Sequence, residues 1–478
     1  MLNLFKSCKR ICFACICIIY TSCKVPAIVH TPAPKPLPET YSSTTDTVNT
    51  AAVQWKDFFA DKYLIKLIDT ALKNNQELLI TLQEIEIARN DIRVRQGKLL
   101  PMVAAGGGIG VDKVGRYTSQ GAGDASTEIK PGKEVPEWLG DYRIGVYANW
   151  EVDIWNKLRT EKKAAVTRYL ATIEGKNFVI TNLIAEIANS YYELLALDNQ
   201  LDVVRQTIVL QKNALEIVKV QKEAARVTEL AVKKFEAEVL SSQSLEFDIL
   251  QKIKESENEI NFLVGRYPQP IERDKAAFLT ALPQQVHAGI PSQLLGNRPD
   301  IKQAELELTA AQLDLKVARK EFYPSFGISA SLGLNAFNPS YLVKLPESLL
   351  FSLAGDLAGP LINKSAIKAE FSNANARQFQ ALYNYERTIL NAYIEVSNEL
   401  SDLGNLEKAY DLKTKEVNAL TASVDISTEL FKSARADYFE VLMTQRDAIQ
   451  SKLELVETRL RQLNSVTNIY RSLGGGWN

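Results

Sequence analysis

Between residues 158 and 224 the chain contains no proline and a single glycine, Gly175, and it is rich in Ala, Leu, Glu, Lys and Gln. Nothing in that stretch stops a helix. A helix of about 60 residues spans roughly 90–100 Å, which is not the geometry of a globular core. Helices of that length bury their apolar stripes against other long helices, as in a coiled coil. By itself the feature fits a long solvated coiled coil with no pore.

The chain also repeats itself. Residues 61–264 and 287–473 read as two copies of one unit. Asn74 aligns with Asn297, Ala88 with Ala311 and Pro101 with Pro324 at an offset of 223. Asn156-Lys157 aligns with Asn363-Lys364, Ala185 with Ala392 and Ser190 with Ser397 at 207, and Arg226 aligns with Arg435 and Val232 with Val441 at 209. The changes of offset are differences in loop length. Each copy opens with a helix, about 62–98 or 291–321, ending before Leu100-Pro101 or Tyr323-Pro324, because proline biases its predecessor to extended backbone. Two strands and a loop follow, then two very long helices separated by a short break near 225–228 or 434–437. The expected organisation is a leader at 1–22, a Pro/Thr/Ser-rich tether at 23–51, and repeats at 52–286 and 287–478.

The strands alternate with period two. In 325–334, Phe326, Ile328, Ala330, Leu332 and Leu334 share one face, against Ser325, Gly327, Ser329, Ser331 and Gly333. In 142–154, Tyr142, Ile144, Val146, Ala148, Trp150, Val152 and Ile154 alternate with mostly polar residues, and 349–357 and the glycine-rich 102–111 are weaker versions. Strands of this length and pattern suit a transmembrane β-barrel, apolar face to lipid, with Trp138, Tyr142, Trp150, Trp155, Phe322 and Tyr323 as interfacial aromatics. Alternation alone fits a half-buried soluble sheet equally well. Four strands cannot close a barrel, so in lipid several chains must share one; three chains give twelve strands.

Composition removes other classes. All five cysteines (Cys8, Cys12, Cys15, Cys17, Cys23) lie in the first 23 residues, which excludes a disulfide scaffold. The two histidines, His30 and His287, are unclustered, so no catalytic, cofactor or metal site is expected. With 56 basic and 57 acidic residues, the chain lacks the excess positive charge of a nucleic-acid binder. Lys6, Lys9 and Arg10 precede an apolar run, 11–22, that is too short to span a bilayer and suits an export signal. It ends Tyr-Thr-Ser-Cys, similar to a bacterial lipobox with Cys23 as the lipidated residue; an ordinary cleaved signal is the other reading.

Several motifs together carry a family resemblance. Asn297-Arg298-Pro299-Asp300-Ile301, then Gln303-Ala304-Glu305, then Ala318-Arg319-Lys320-Glu321-Phe322-Tyr323-Pro324 open the second repeat. Trp55, Phe59, Leu64, Leu67-Ile68, Ala71-Leu72 and Asn75 open the first, Tyr438 to Leu442 with Gln445-Arg446 mark the second tip, and Leu473-Gly474-Gly475-Gly476-Trp477 closes the chain. Over residues 52–477 the sequence resembles the outer-membrane factor family: TolC-like and OprM-like channel proteins of tripartite efflux and secretion systems, in the lipoprotein branch. The resemblance implies an α+β membrane protein, a homotrimer whose twelve-stranded outer-membrane β-barrel, four strands per chain, continues as a periplasmic α-helical barrel. It implies a passive conduit in outer-membrane lipid. Its partners would be a periplasmic adaptor and an inner-membrane transporter of the RND or ABC type. No nucleic acid is implied.

The resemblance also assigns sites. Ala225, Arg226, Val227 and Thr228, and Ala434, Arg435, Ala436 and Asp437, match the adaptor-contacting tips, although the family's tip glycines are replaced by Ala225 and Ala434. Of two acidic pore rings, one matches Glu440; the other position holds Met443, and the constriction aromatic matches Phe431. A copy-one acid that pairs with a gate arginine matches Ala231, which cannot pair. Three Glu440 side chains near a threefold axis would favour cations, or Glu440 is simply a solvated helix-face carboxylate. Two alternatives stay open: a lipid-anchored periplasmic coiled-coil scaffold without a pore, and an enzyme, against which the residue inventory weighs.

Overall fold

The computed structural model describes residues 25–28, 32, 36–41, 48–276, 278, 287–360, 364–433 and 435–477. The leader, Cys23 and Ala434 lie outside them. Seven principal helices are used below: α1 Lys62–Asn74, α2 Gln76–Gly97, α3 Lys157–Glu223, α4 Glu229–Leu263, α5 Pro299–Lys320, α6 Ser365–Lys432 and α7 Tyr438–Ser472. Four strands form the main sheet: β1 Met102–Asp112, β2 Leu139–Val152, β3 Ser325–Ala336 and β4 Leu349–Ala358. The α3 and α6 helices run for 67 and 68 residues, each about 100 Å long.

Contacts divide the chain into two compact units, and neither is a repeat. One takes Met1–Pro32, Ile87–Tyr169 and Leu306–Leu382; the other takes Ala33–Glu86, Leu170–Glu305 and Tyr383–Asn478. Each unit draws on both copies, because the copies interleave rather than fold apart.

The first unit holds the sheet, antiparallel in the order β1-β2-β3-β4. The central β2–β3 pair joins the two repeats. Between β1 and β2 the loop adds a short helix, Ser119–Asp124, and a small hairpin of Glu128–Lys130 with Lys133–Glu134. The strand alternation did not announce these elements. Leu315, Ala318, Phe322, Phe371 and Ala374 form this unit's buried cluster, and Val25 and Ile28 pack against it. Residues expected to be a free tether are thus partly seated.

The second unit has the larger core, formed by α1 and by parts of α3, α4 and α7. It includes Trp55, Phe58, Leu64, Ile68, Ile187, Tyr191, Ile260 and Tyr470. The Phe58 and Tyr470 rings stack at 4.0 Å, and Tyr191 Oη donates to Asp61 Oδ2 at 2.7 Å. Asp61 also caps α1 through the Tyr63 N–H. Leu64, Leu67, Ile68 and Ala71 give α1 its buried stripe. In the same unit, Tyr41 stacks on Tyr393 at 5.4 Å.

The opening helix of each repeat is broken, where the sequence pointed to one continuous element. The breaks fall at Asn75 and Arg298, equivalent at the offset of 223. Asn75 leaves helical geometry and caps α2, its Oδ1 accepting from the Leu78 N–H at 2.9 Å. Its Nδ2 donates to Leu263 O at 2.8 Å. Arg298 does the same work in the second copy, donating to Ser472 O at 2.8 Å, and it also pairs with Asp300 at 2.7 Å and Glu395 at 2.8 Å. Beside these breaks, Gly265 and Gly474 end α4 and α7 at φ +75° and +90°. A Cβ on either would lie 2.3 Å from Asn74 O or 2.6 Å from Asn297 O. The duplication therefore extends to hydrogen bonds that sequence identity does not reveal.

Candidate functional site

Two sets of residues matter, one in each unit. In the sheet, directly paired residues share a face. Val103, Ala148, Ala330 and Leu353 form one row across all four strands, and Ala105, Val146, Leu332 and Phe351 form the next. Gly107, Ile144, Leu334 and Leu349 form a third, with Trp150–Ile328 and Val152–Phe326–Leu357 continuing the same face. Every strand residue expected to face lipid (Ile144, Val146, Trp150, Phe326, Ile328, Leu332, Leu334) thus lies on one continuous apolar surface. Leu332 is 54 % exposed and Ile144 57 % exposed, so no described residue covers them fully.

The opposite face carries Asn149–Ser329, Tyr147–Ser331–Ser352, Arg143–Asn335 and Glu151–Gly327–Asp356. Across its middle runs Gly106–Gly145–Gly333. A Cβ on Gly145 would sit 2.7 Å from the Gly333 Cα, and a Cβ on Gly333 would sit 2.8 Å from the Gly145 Cα. Both obstacles are backbone, so only glycine lets β2 and β3 approach this closely on the polar side. Among the described residues no helix is long and apolar enough to cross a membrane.

The second set is the pair of helix tips. The turn after α3 ends in a left-handed cap: Ala225 has φ +55°, its N–H donates to Lys222 O, and the Arg226 N–H donates to Gln221 O. Alanine thus adopts the conformation that glycine takes more cheaply. The tip after α6 has the equivalent bond, from the Arg435 N–H to Leu430 O at 2.8 Å. Lys222 and Glu229 bridge the first turn at 2.6 Å, and that bond holds the Glu229 carboxyl below its usual range.

The tips pack on each other through an apolar cluster: Ala214, Leu215, Val218, Ala231, Val232, Phe235, Val239, Phe431, Val441 and Leu442. Val227, Ala436 and Tyr438 lean on it. Ala231 is 0 % exposed, so an acid there would be buried among hydrocarbon. Phe431 is 6 % exposed. Its ring belongs to the apolar core of the tip. Glu440 is exposed on the first turn of α7, and Met443 is 39 % exposed. Arg226, Thr228, Arg435 and Asp437 are exposed too, whereas Val227 and Ala436 are half-buried. Phe439, within the tip motif read from the sequence, is 58 % exposed beside Glu440.

The model of the family described as outer membrane efflux protein matches residues 67–266 and 290–475, and the chain belongs to that family. It is an outer-membrane channel component of an efflux system. It is similar to the toluene efflux pump outer membrane protein TtgI of Pseudomonas putida, 26% identical over 437 residues that cover 90% of this chain and 89% of the relative. It is also similar to the probable outer membrane lipoprotein SilC of Salmonella typhimurium, 26% identical over 451 residues that cover 93% and 94%. The open outer membrane channel MtrE of Neisseria gonorrhoeae has the same fold: TM-score 0.80 at 22% identity, over 95% of this chain and 98% of that one.

Proposed function

We propose that three copies of the chain close one twelve-stranded barrel in the outer membrane, and that their long helices continue it as a conduit through the periplasm. The observation that carries this reading is the four-stranded sheet with one unbroken apolar face and with β1 and β4 at its two edges. In lipid the edge groups must be paired, and further copies supply the pairs. Apolar rows then meet lipid, and the row of serines, Arg143, Glu151 and Asp356 meets a wet lumen.

Solutes leave by diffusion along this tube. No bond is made or broken, so the energy comes from an inner-membrane transporter of the RND or ABC type, reached through a periplasmic adaptor. The exposed Arg226, Thr228, Arg435 and Asp437 are the adaptor-docking side chains, with Ala225 shaping the first turn and Ala434 belonging to the second tip by its place in the sequence. Val227 and Ala436 brace them from the tip core. Glu440 and Met443 line the constriction, and Phe431 supports it from behind. Cys23 carries the lipid anchor.

The test is fractionation and conductance. The protein should sediment with outer membrane, run as a trimer in mild detergent and form channels in planar bilayers. Glu440→Ala should lower cation selectivity. A monomer without conductance would refute the conduit, and unchanged selectivity would remove Glu440 from the constriction.

A further inference from the structure

Charge is distributed unevenly about the two ends of the sheet. Four stretches lie between strands and helices at one end: 93–101, 153–163, 316–324, and 359–360 with 364–370. Together they hold twelve Lys or Arg and four acids, a net +8 in a chain whose total is −1. At the other end, loops 113–138 and 337–348 are each neutral, with four of each sign in the first and Lys344 with Glu347 in the second. One of the four acids, Asp153, is already used, accepting from the N–H groups of Leu158 and Arg159 at 3.0 and 2.9 Å.

Part of the positive charge is consumed internally. Lys157 pairs with Glu151 at 2.8 Å and Glu321 at 3.5 Å, and Arg95 pairs with Glu161 at 3.2 Å. Lys320 Nζ donates to Asn156 O at 2.9 Å and Thr160 Oγ1 at 2.8 Å. By contrast Arg93, Arg159, Lys162, Lys163, Lys316 and Lys368 enter no ion pair with a described residue, and all but Lys162 are exposed. The placement also opposes local preference. Both α3 and α6 begin with no acid in the first turn, and α3 begins with Lys157 and Arg159, where the helix dipole favours negative charge. Asp153 answers that preference at α3, whereas α6 has no acid in its first turn, so the surplus cations at this end of the sheet are what an external anion would meet. At the same level the Trp155 and Tyr323 rings meet at a tilt of 37° with centroids 5.1 Å apart, and Trp155 donates Nε1–H to Pro324 O at 2.7 Å, as suits aromatics at a membrane boundary.

We infer that this basic belt seats on anionic phospholipid headgroups of the periplasmic leaflet and fixes the depth of the sheet in the bilayer. The inference rests on the barrel reading, which puts the helix-bearing ends of the strands on that side. Apolar rows and a cationic rim then meet acyl chains and phosphates in register, and each cation near such a surface adds attraction that salt screens.

The test uses full-length protein in nanodiscs of phosphatidylethanolamine alone or mixed with phosphatidylglycerol, at low and high salt, with trimer dissociation temperature as the readout. Wild type should gain stability from phosphatidylglycerol and lose the gain in high salt. The variant R159E/K163E/K316E/K368E should lose the gain yet match wild type in neutral discs. If charge reversal blocks assembly, the glutamine versions of the same four positions should still show a reduced gain. Indifference of wild type to phosphatidylglycerol, an unreduced gain in the variants, or reproduction of the gain by inorganic phosphate overturns the proposal. An intact lipid response with altered channel selectivity also overturns it, because the belt would then face the lumen. Absence of any trimer in neutral discs would remove the barrel reading itself, and this inference with it.

Discussion

At the scale of single residues, the sharpest feature is alanine in a glycine's place. Ala225 holds φ +55° with both bonds of its helix cap formed. A left-handed alanine costs roughly 1 kcal/mol relative to glycine. Ala225→Gly should therefore raise hairpin stability by about 1 kcal/mol, read as a higher melting temperature by circular dichroism. Gly265→Ala should do the reverse and by more, since its Cβ would meet Asn74 O. A second residue-scale effect is electrostatic. Burial raises the pKa of Glu399, opposed by a hydrogen bond from Ser465, and the nearby Asp402 charge adds to the rise. In this case the folded state holds its proton to higher pH than the unfolded chain. The group therefore destabilises the fold above its folded pKa, and that penalty fades as pH falls toward the ordinary carboxylate value. Glu399→Gln should raise the melting temperature at pH 7 and have little effect near pH 4.

At the scale of elements, the sheet and the tips follow different rules. The apolar rows of β1 to β4 are set by pairing register, so one charged side chain in the middle interrupts a surface shared by four strands. Leu332→Arg should cost roughly 2–4 kcal/mol at mid-membrane and sharply lower trimer yield in membrane fractions; a normal yield would mean that this face does not meet lipid. Helix lengths, the tip breaks and strand alternation were all legible in the sequence, because periodicity and proline placement act locally. The break at Asn75 was not. Its neighbours read as helix, and the bond from its Nδ2 to Leu263 O spans 188 positions.

At the scale of the whole molecule, duplication explains the architecture. Two copies contribute two strands each, and their union at β2–β3 makes the sheet. Such a chain leaves β1 and β4 as open edges, and the proposed trimer would pair them. The anchor is tested at the same scale. Cys23→Ala should abolish incorporation of labelled palmitate while the protein remains detergent-dependent. Release into the soluble fraction would favour a scaffold tethered only by its lipid.

The sequence by itself determined the long helices, the four alternating strands and the family, since each depends on local periodicity or short motifs. Tertiary structure alone decided the rest. It placed Phe431 and Ala231 inside a tip core, put the two glycines of β2 and β3 in backbone contact, and gave Asn75 and Arg298 the same task from different side chains. These depend on which distant groups meet, and a carbonyl accepts a hydrogen bond equally well from an amide or a guanidinium.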